Sequence, residues 1–300
     1  MALSTMTSRS AGDSITASDW DIVRNNILLI TGSATGSQEG WGQSFSVYNP
    51  AAGATISDTN TNDIINAAQD IATYVGASVT VSDVANAGSI QEDDLNTIQT
   101  TVTNAYNNRF SAQSGYLSTE AKIDSTRTAT WNTTVTHYFT VDFSSDSHAK
   151  EFFNAGGKIT FSASRSSGAS NDQNTDWTNL LSAMGTVKMG YTNVTASSGS
   201  NTGSRGFYDL TSSFQEIFIK TGSGSYSSNY YQISAKYDSS TATISYQVTF
   251  SDAHTGRGYF DTVDGTLQHN VGQERPNSGT LPNGYSVTVA TPTYAESSEL

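Results

Sequence analysis

The sequence predicts a mainly β protein, with an antiparallel β-sandwich in its C-terminal part and a small helical region before it. Apolar residues recur at helical spacing before residue 107, whereas they alternate with polar residues after residue 128. The composition is rich in Ser, Thr, Asn and Gly, and 10% of residues are aromatic, which suits strands and turns around a core. We therefore expect a helical repeat-containing region at 1–120 and a sandwich domain at 121–300. Closure of the sandwich into a barrel is an open alternative.

The first predicted helix begins at a recognisable start signal. Thr16 and Asp19 have the spacing of a capping box, in which each side chain bonds the backbone of the other residue. Ile15 and Trp20 flank this start in the arrangement of a hydrophobic staple. The helix is expected to end at Gly32, because glycine adopts helix-terminating conformations at little cost.

Two related starts follow at Ile56 and Ile90, and they predict a second and a third helix with apolar stripes. The spacing of the starts is irregular, so the region is not a solenoid. One interpretation is a small helical domain. The other is an assembly module that packs against copies of itself.

A glycine-spaced turn, Gly40-Trp41-Gly42-Gln43, lies between the first two helices. It lacks the Lys-Ser/Thr ending of a phosphate loop and follows a helix instead of a strand. We expect a turn in which Trp41 covers an apolar patch, with an inter-subunit plug as the alternative. The stretch 107–126 is polar, and we place the domain boundary within it, near residue 120.

A helix–turn–strand unit is predicted around residues 147–161. A short helix runs to Asn154, and Ala155-Gly156-Gly157 stops it before an alternating strand begins. Phe152 and Phe153 are expected to face the sheet that this strand joins.

The predicted sheet also contains a long strand from Trp131 to Phe143, with one apolar face that includes His137. A short helix carrying Trp177 is predicted to end at Gly185. Further strands are predicted at 187–191, 214–220, 230–237, 241–251, 263–271 and 285–290.

Charge and composition exclude several classes of partner. Lys plus Arg number 14 and Asp plus Glu 27, which gives a net charge of −13 and argues against nucleic acid or an anionic membrane as the main partner. Cysteine is absent, so disulfides and Cys-type zinc sites are excluded. The segment Met1–Asp13 lacks the apolar core of a signal peptide, and Ile27–Ile30 is too short to span a bilayer.

No residue pattern predicts a reaction centre, a metal site or a cofactor. The four histidines lack metal-ligand spacing, and we expect them to be ordinary packed residues. A calcium-like run at 58–62 lacks the required glycine and the final glutamate. We therefore predict that the protein is not an enzyme. The enzymatic alternative is a glycan-degrading domain that uses two carboxylates from the set Asp172, Asp176, Asp209, Asp252, Asp261 and Asp264.

Two stretches together resemble virion structural proteins of tailed phages, especially those that infect marine cyanobacteria. One is Ile15-Thr16 with Asp19-Trp20-Asp21, followed by the Gly40-Trp41-Gly42-Gln43 turn. The other runs from Glu151-Phe152-Phe153-Asn154 through Gly156-Gly157 to Asn174-Thr175-Asp176-Trp177. That group has a recurring Ile-Thr-Ala-x-Asp-Trp/Tyr-Asn helix start, and Phe-Phe-Asn-x-Gly-Gly-x-Ile followed by Asn-Thr-Asp-Trp. The similarity touches about half of the chain.

This resemblance implies a structural component of a phage tail, baseplate or neck, assembled in the host cytoplasm and located in the virion. Its partners would be copies of itself, as a trimer or hexamer, and other virion proteins. The apolar residues expected at the assembly interface are Ile15, Trp20, Trp41, Ile56, Ile90, Phe152, Phe153 and Trp177. The alternative function is adsorption to a host surface glycan, with Tyr226, Tyr230 and Tyr231 as the first candidate contacts.

Overall fold

The computed structural model describes residues 3–5, 8, 10, 15–34, 38–50, 54, 56–83, 92–200, 204–254, 262–298 and 300. It contains five α-helices and ten strands within these residues, and the prediction of a strand-rich sandwich with N-terminal helices is confirmed. The helices are α1 (Ala17–Thr31), α2 (Asp58–Val75), α3 (Glu92–Asn107), α4 (Asp146–Asn154) and α5 (Asp172–Met184).

The ten strands form two antiparallel sheets of five strands each. The first sheet has the order β1-β9-β3-β4-β5, and the second has the order β10-β2-β8-β7-β6. Their bounds are β1 (Leu117–Arg127), β2 (Thr134–Asp142), β3 (Lys158–Ser166), β4 (Val187–Met189), β5 (Val194–Thr195), β6 (Gln215–Thr221), β7 (Tyr230–Asp238), β8 (Thr243–Ser251), β9 (Thr266–Pro276) and β10 (Thr293–Ser298).

The chain divides into two compact units, each built from separate segments. The helical unit comprises Met1–Ser118, Lys150–Gly157 and Pro276–Ala290. The sandwich unit comprises Thr119–Ala149, Lys158–Arg275 and Thr291–Leu300. The boundary predicted near residue 120 falls inside β1, and two later segments belong to the helical unit.

The helical unit begins as the sequence predicts. Thr16 caps α1 and forms the capping box with Asp19, while Ser57 forms an equivalent box at the start of α2. The segment 276–290 was expected to contain a strand at 285–290, but in the structure it is held against α2 by side-chain contacts. The buried carboxylate of Asp70 accepts the backbone N–H groups of Asn283 (3.0 Å) and Tyr285 (3.2 Å).

The core of the sandwich unit lies between the inward faces of the two sheets. The alternation predicted along β2 is observed, because Val135, His137, Phe139 and Val141 are all buried. Phe139 stacks on Tyr246 of the neighbouring strand, with ring centroids 5.0 Å apart. Such a pair adds to the stabilisation that comes from burying both rings.

One strand of this part of the chain was not predicted. Residues 117–127, in the polar stretch that contains the predicted domain boundary, form the edge strand β1, and its side chains are partly exposed on both faces, so no apolar alternation marks it. Phe152 and Phe153 are fully buried, and their segment, Lys150–Gly157, belongs to the helical unit.

Candidate functional site

The first stretch that carries the phage resemblance meets the beginning of the second, Lys150–Gly157, inside the helical unit. The buried side chain of Asn154 donates from Nδ2 to the backbone oxygens of Glu39 (2.9 Å) and Gly40 (3.0 Å). The Glu151 carboxylate accepts the backbone N–H of Ala34 at 3.3 Å. We call this set of contacts, between the Gly-Trp-Gly-Gln turn and the end of α4, the motif junction. It joins segments more than a hundred residues apart in the chain.

The turn also completes the C-terminal end of α1, where helix carbonyls lack partners within the helix. Gly40 has φ +90° and Gly42 has φ +70°, a left-handed conformation that glycine adopts without strain. The turn's N–H groups donate to carbonyl oxygens in and just after the last turn of α1: Trp41 to Ile30 (3.1 Å), Gly42 to Gly32 (2.8 Å) and Gln43 to Thr31 (2.7 Å).

Trp41 is fully buried at the centre of this arrangement. Its Nε1 donates to the backbone oxygen of Arg109 (3.1 Å), and its ring lies 4.9 Å from that of Tyr74. The Tyr74 hydroxyl in turn donates to the backbone oxygen of Ala155 at 2.6 Å, and burial raises the pKa of this phenol. Trp41 therefore covers apolar surface of its own protomer, as the turn interpretation expects.

Replacing Asn154 with leucine is expected to lower the free energy of unfolding of the helical unit by about 2–4 kcal/mol, since two buried carbonyl oxygens lose a donor. Asn108→Leu is the matched control, because Asn108 is exposed and its side chain donates to the backbone oxygen of Asn104 in the preceding helical turn. We expect the control to change stability by about 0.5 kcal/mol at most. Urea titrations followed by far-ultraviolet circular dichroism would compare the two, and equal effects would contradict the role given to Asn154.

The residues predicted to form an assembly interface lie mostly inside the protomer. Only two described members retain partly exposed side chains, Ile15 and Ile56. Ile90 lies outside the described residues. The other five are fully buried: Trp20, Trp41, Phe152, Phe153 and Trp177. Their role in assembly stays a prediction, and in this conformation they contribute no surface to it.

A second polar feature, which the sequence did not predict, crosses the core of the sandwich unit. His137 of β2 and His269 of β9 are both fully buried, and their Nδ1 atoms lie 2.8 Å apart. The Glu296 carboxylate lies 2.8 Å from His137 Nε2, and the Tyr231 hydroxyl lies 3.2 Å from His269 Nε2. We call these four residues the histidine chain. Tyr231 is therefore a core residue, and its expected place on a glycan-binding surface is wrong.

When both rings are neutral, the neighbouring polar groups determine which nitrogen of each histidine carries its hydrogen. As a carboxylate, Glu296 only accepts, so Nε2 of His137 carries its hydrogen and Nδ1 of that ring accepts from Nδ1–H of His269. The remaining nitrogen of His269 then accepts the Tyr231 hydroxyl. One proton per ring then satisfies three of the four ring nitrogens, while Nε2 of His137 lies at ion-pair distance from Glu296 without hydrogen-bond geometry.

Burial favours this neutral state. It lowers the pKa of His137, although the nearby Glu296 carboxylate acts in the opposite direction. Burial also lowers the pKa of His269 well below its usual value, and charge on His137 lowers it further. The histidine chain is enclosed by aromatic rings, among them Phe139 and Phe250. It is placed to stabilise contact between the sheets.

The carboxylates considered for glycan cleavage serve mainly as hydrogen-bond acceptors in turns and beside α5. Asp261 lies outside the described residues, and Asp172 is exposed in the first turn of α5. The other four accept from neighbouring groups: Asp176 from Ser223, Asp209 from Gly206 N–H, Asp252 from Gln173, and Asp264 from Arg165, Asn174 and Ala169 N–H. Over the part of the chain that the structure describes, no cluster of three or more His, Asp or Glu side chains could hold a metal ion.

Comparison with protein-family models, with curated proteins and with solved structures finds no match for this chain. Within the described residues, no helix is both long and apolar enough to cross a membrane.

Proposed function

We propose that this protein is a structural subunit of a tailed-phage particle, in the tail, baseplate or neck, and that it acts through contacts with copies of itself and with other virion proteins. The observation that carries the proposal is the motif junction. The two stretches that resemble phage virion proteins are far apart in sequence, and Asn154 and Glu151 join them in the folded chain. Because the two motifs hold one folded unit together, proteins that have both motifs would be expected to share this unit, and this supports a common architecture with phage virion proteins.

The polar groups of the protein support a structural role over a catalytic one. Caps and turns use most of the conspicuous side chains, including Thr16, Ser57 and Asn171 at helix starts. The two buried histidines bond each other and Tyr231, and burial favours neutral rings. Proteins selected for packing show this use of polar residues, whereas a reaction centre leaves reactive groups facing a cleft.

The contact surface between subunits would lie outside the buried aromatic residues. Ile15 and Ile56 are the predicted interface residues that offer partly exposed side chains. Each precedes the capping residue of a helix, so the two belong to equivalent positions at the starts of α1 and α2.

Particles of the phage that encodes the protein provide the test. We expect antibodies against the purified chain to label purified particles at a defined position in electron micrographs, and mass spectrometry of the same particles to detect the chain. Light scattering after gel filtration should show a trimer or hexamer at high protein concentration. Preimmune serum is the control. A chain that is absent from particles and monomeric at every concentration would refute the proposal.

A further inference from the structure

The segment 276–290 of the helical unit carries a chemically reactive residue pair, Asn283-Gly284. Asn283 is the one asparagine in the sequence that is followed by glycine. In such a pair the backbone nitrogen of the glycine can attack the side-chain carbonyl carbon of the asparagine, because glycine has no side chain to hinder it. A succinimide ring forms as the amide nitrogen leaves as ammonia, and water then opens the ring to aspartate or isoaspartate. Asn283 is exposed, so water reaches this site.

The fold restrains both reacting groups of this pair. The nucleophile is the Gly284 nitrogen, and its N–H donates to the backbone oxygen of Leu281 at 3.0 Å, which closes a tight turn. The leaving group is Nδ2 of Asn283, which donates to Gln69 Oε1 at 2.8 Å. Attack requires a free Gly284 nitrogen and a rotated Asn283 side chain. Both hydrogen bonds must therefore break before the ring can form.

The turn is held on α2 by the buried carboxylate of Asp70. This carboxylate accepts the backbone N–H of Asn283 at 3.0 Å and that of Tyr285 at 3.2 Å, one on each side of Gly284. Hydrogen bonds to a charged acceptor are stronger than neutral ones. Burial raises the pKa of Asp70, whereas the hydrogen bonds from Asn283 and Tyr285 act to lower it. The buried charge and the closed turn thus stabilise each other.

We propose that Asn283 is a modification site, where spontaneous deamidation is controlled by release of this turn from Asp70. The folded protein slows the reaction, because the turn must first open locally. The new carboxylate would then face Gln69 Oε1, also an acceptor, and would lie beside the Asp70 charge. In isoaspartate, one extra main-chain carbon atom also separates the two N–H groups that Asp70 binds. The modification would make a reversible opening of the turn permanent.

Peptide mapping by mass spectrometry would follow the conversion of Asn283 in mildly alkaline buffer. We expect conversion to be at least about tenfold slower in the folded protein than in urea, because only the open turn reacts. Asp70→Asn keeps the shape of the buried side chain but removes its charge, and it should speed conversion in the folded protein about tenfold. Asp21→Asn is the matched control. Asp21 is exposed on α1, so this change should leave the rate at Asn283 unchanged.

Asn283→Asp reproduces one product of the reaction and tests its effect on the turn. Hydrogen exchange followed by mass spectrometry should show about tenfold faster exchange in the peptide that contains the N–H groups of residues 283–285. Asn283→Gln is the matched control, because it keeps a neutral amide at this position. Its exchange should stay close to that of the wild-type protein.

The proposal is overturned if Asn283 converts as fast in the folded protein as in urea, or if Asp70→Asn converts no faster than Asp21→Asn. Circular dichroism would establish that the variants fold. If Asp70→Asn does not fold, Gln69→Ala takes its place, because it removes the acceptor of the Asn283 amide and should also speed conversion. The outcome is independent of the proposed structural role, because labelling of particles by antibodies does not depend on the state of Asn283.

Discussion

Replacing Gly40 with alanine is expected to lower the free energy of unfolding of the helical unit by about 3 kcal/mol or more, which would be among the largest effects of any single substitution. Two costs add at this position. The left-handed conformation, with φ +90°, costs alanine about 1–2 kcal/mol. In addition, the new Cβ would lie 2.6 Å from the backbone oxygen of Ser33 and 2.7 Å from that of Gly32, which forces the backbone to move.

The helical unit offers two matched controls for this substitution. Gly279 has φ +61° with open space around it, so Gly279→Ala isolates the conformational cost of about 1–2 kcal/mol. Gly115 is not in the left-handed region and also has open space, so Gly115→Ala should be neutral or slightly stabilising. Urea titrations followed by circular dichroism at the helical band would rank the three variants. A Gly40→Ala effect no larger than that of Gly279→Ala would contradict the close approach of the turn to the end of α1.

The loss of stability in Gly40→Ala should also include an effect on the motif junction. Gly40 provides one of the two carbonyl oxygens that Asn154 binds, so a displaced turn would also lose that hydrogen bond. The double variant should therefore lose less free energy of unfolding than Gly40→Ala and Asn154→Leu lose together as single variants, because residues in one network are coupled.

Local signals in the sequence predicted the elements that depend on neighbouring residues. The capping box at Thr16 and Asp19 fixed the start of α1, and the glycines after α2 and α4 ended those helices in the left-handed conformation. The alternation along β2 identified its buried face. In each case the physical cause lies within a few residues of the element itself.

The missed elements depend on distant parts of the chain. β1 and β10 are edge strands with partly exposed side chains on both faces, so their position is set by pairing with β9 and β2 and not by an apolar pattern. Likewise, His137 and His269 both occupy inward positions of their strands, but contact between them requires two sheets to meet across 132 residues of sequence. The inward positions of the two histidines predict that both are buried, whereas no local pattern predicts that their rings contact each other.

The motif junction was missed for the same reason. Asn154 was identified only as the end of a helix, and its partners at Glu39 and Gly40 lie about 115 residues earlier.

The protein is expected to lose stability as the pH falls below about 6.5, by at most about 1.4 kcal/mol per pH unit for each histidine, because its histidine chain resists protonation. The sign follows from the direction of the two pKa shifts. Folding lowers the pKa of both His137 and His269 below the ordinary value of 6.5, so in this range the unfolded chain binds more protons than the folded protein. The free energy of unfolding then decreases by about 1.4 kcal/mol per pH unit for each histidine, until the folded rings also take up protons.

Carboxylates with a lowered pKa should contribute little in that window. Burial acts to raise the pKa of Glu274, but its hydrogen bond to Lys188 and the charge of Lys158 outweigh burial and lower that pKa from 4.5. A carboxylate with a lowered pKa stabilises the fold above its usual value and loses this contribution only in more acidic solution. Burial raises the pKa of Asp70, so the histidine effect is read from the difference in slope between the wild-type protein and a histidine variant, in which Asp70 is unchanged.

Urea titrations across this pH range should show a steep loss for the wild-type protein and a nearly flat profile for His137→Phe/His269→Phe. The double variant will be less stable in absolute terms, because Tyr231 and Glu296 lose their partners, so the slope is the diagnostic quantity. The milder His269→Gln should reduce the slope by about half, since one of the two histidines remains.

His254→Gln is the control, because this ring packs edge-to-face with Tyr226 and takes no part in the histidine chain. It should keep the wild-type slope. Long-range proton–nitrogen NMR at neutral pH gives a direct check, with hydrogen expected on Nε2 of His137 and Nδ1 of His269. A wild-type slope that survives in the double variant, or two charged rings at neutral pH, would show that the core does not hold this pair in the neutral state. The stabilising contact between the sheets would then have to come from their aromatic residues alone, because two charged rings with their Nδ1 atoms 2.8 Å apart would repel each other.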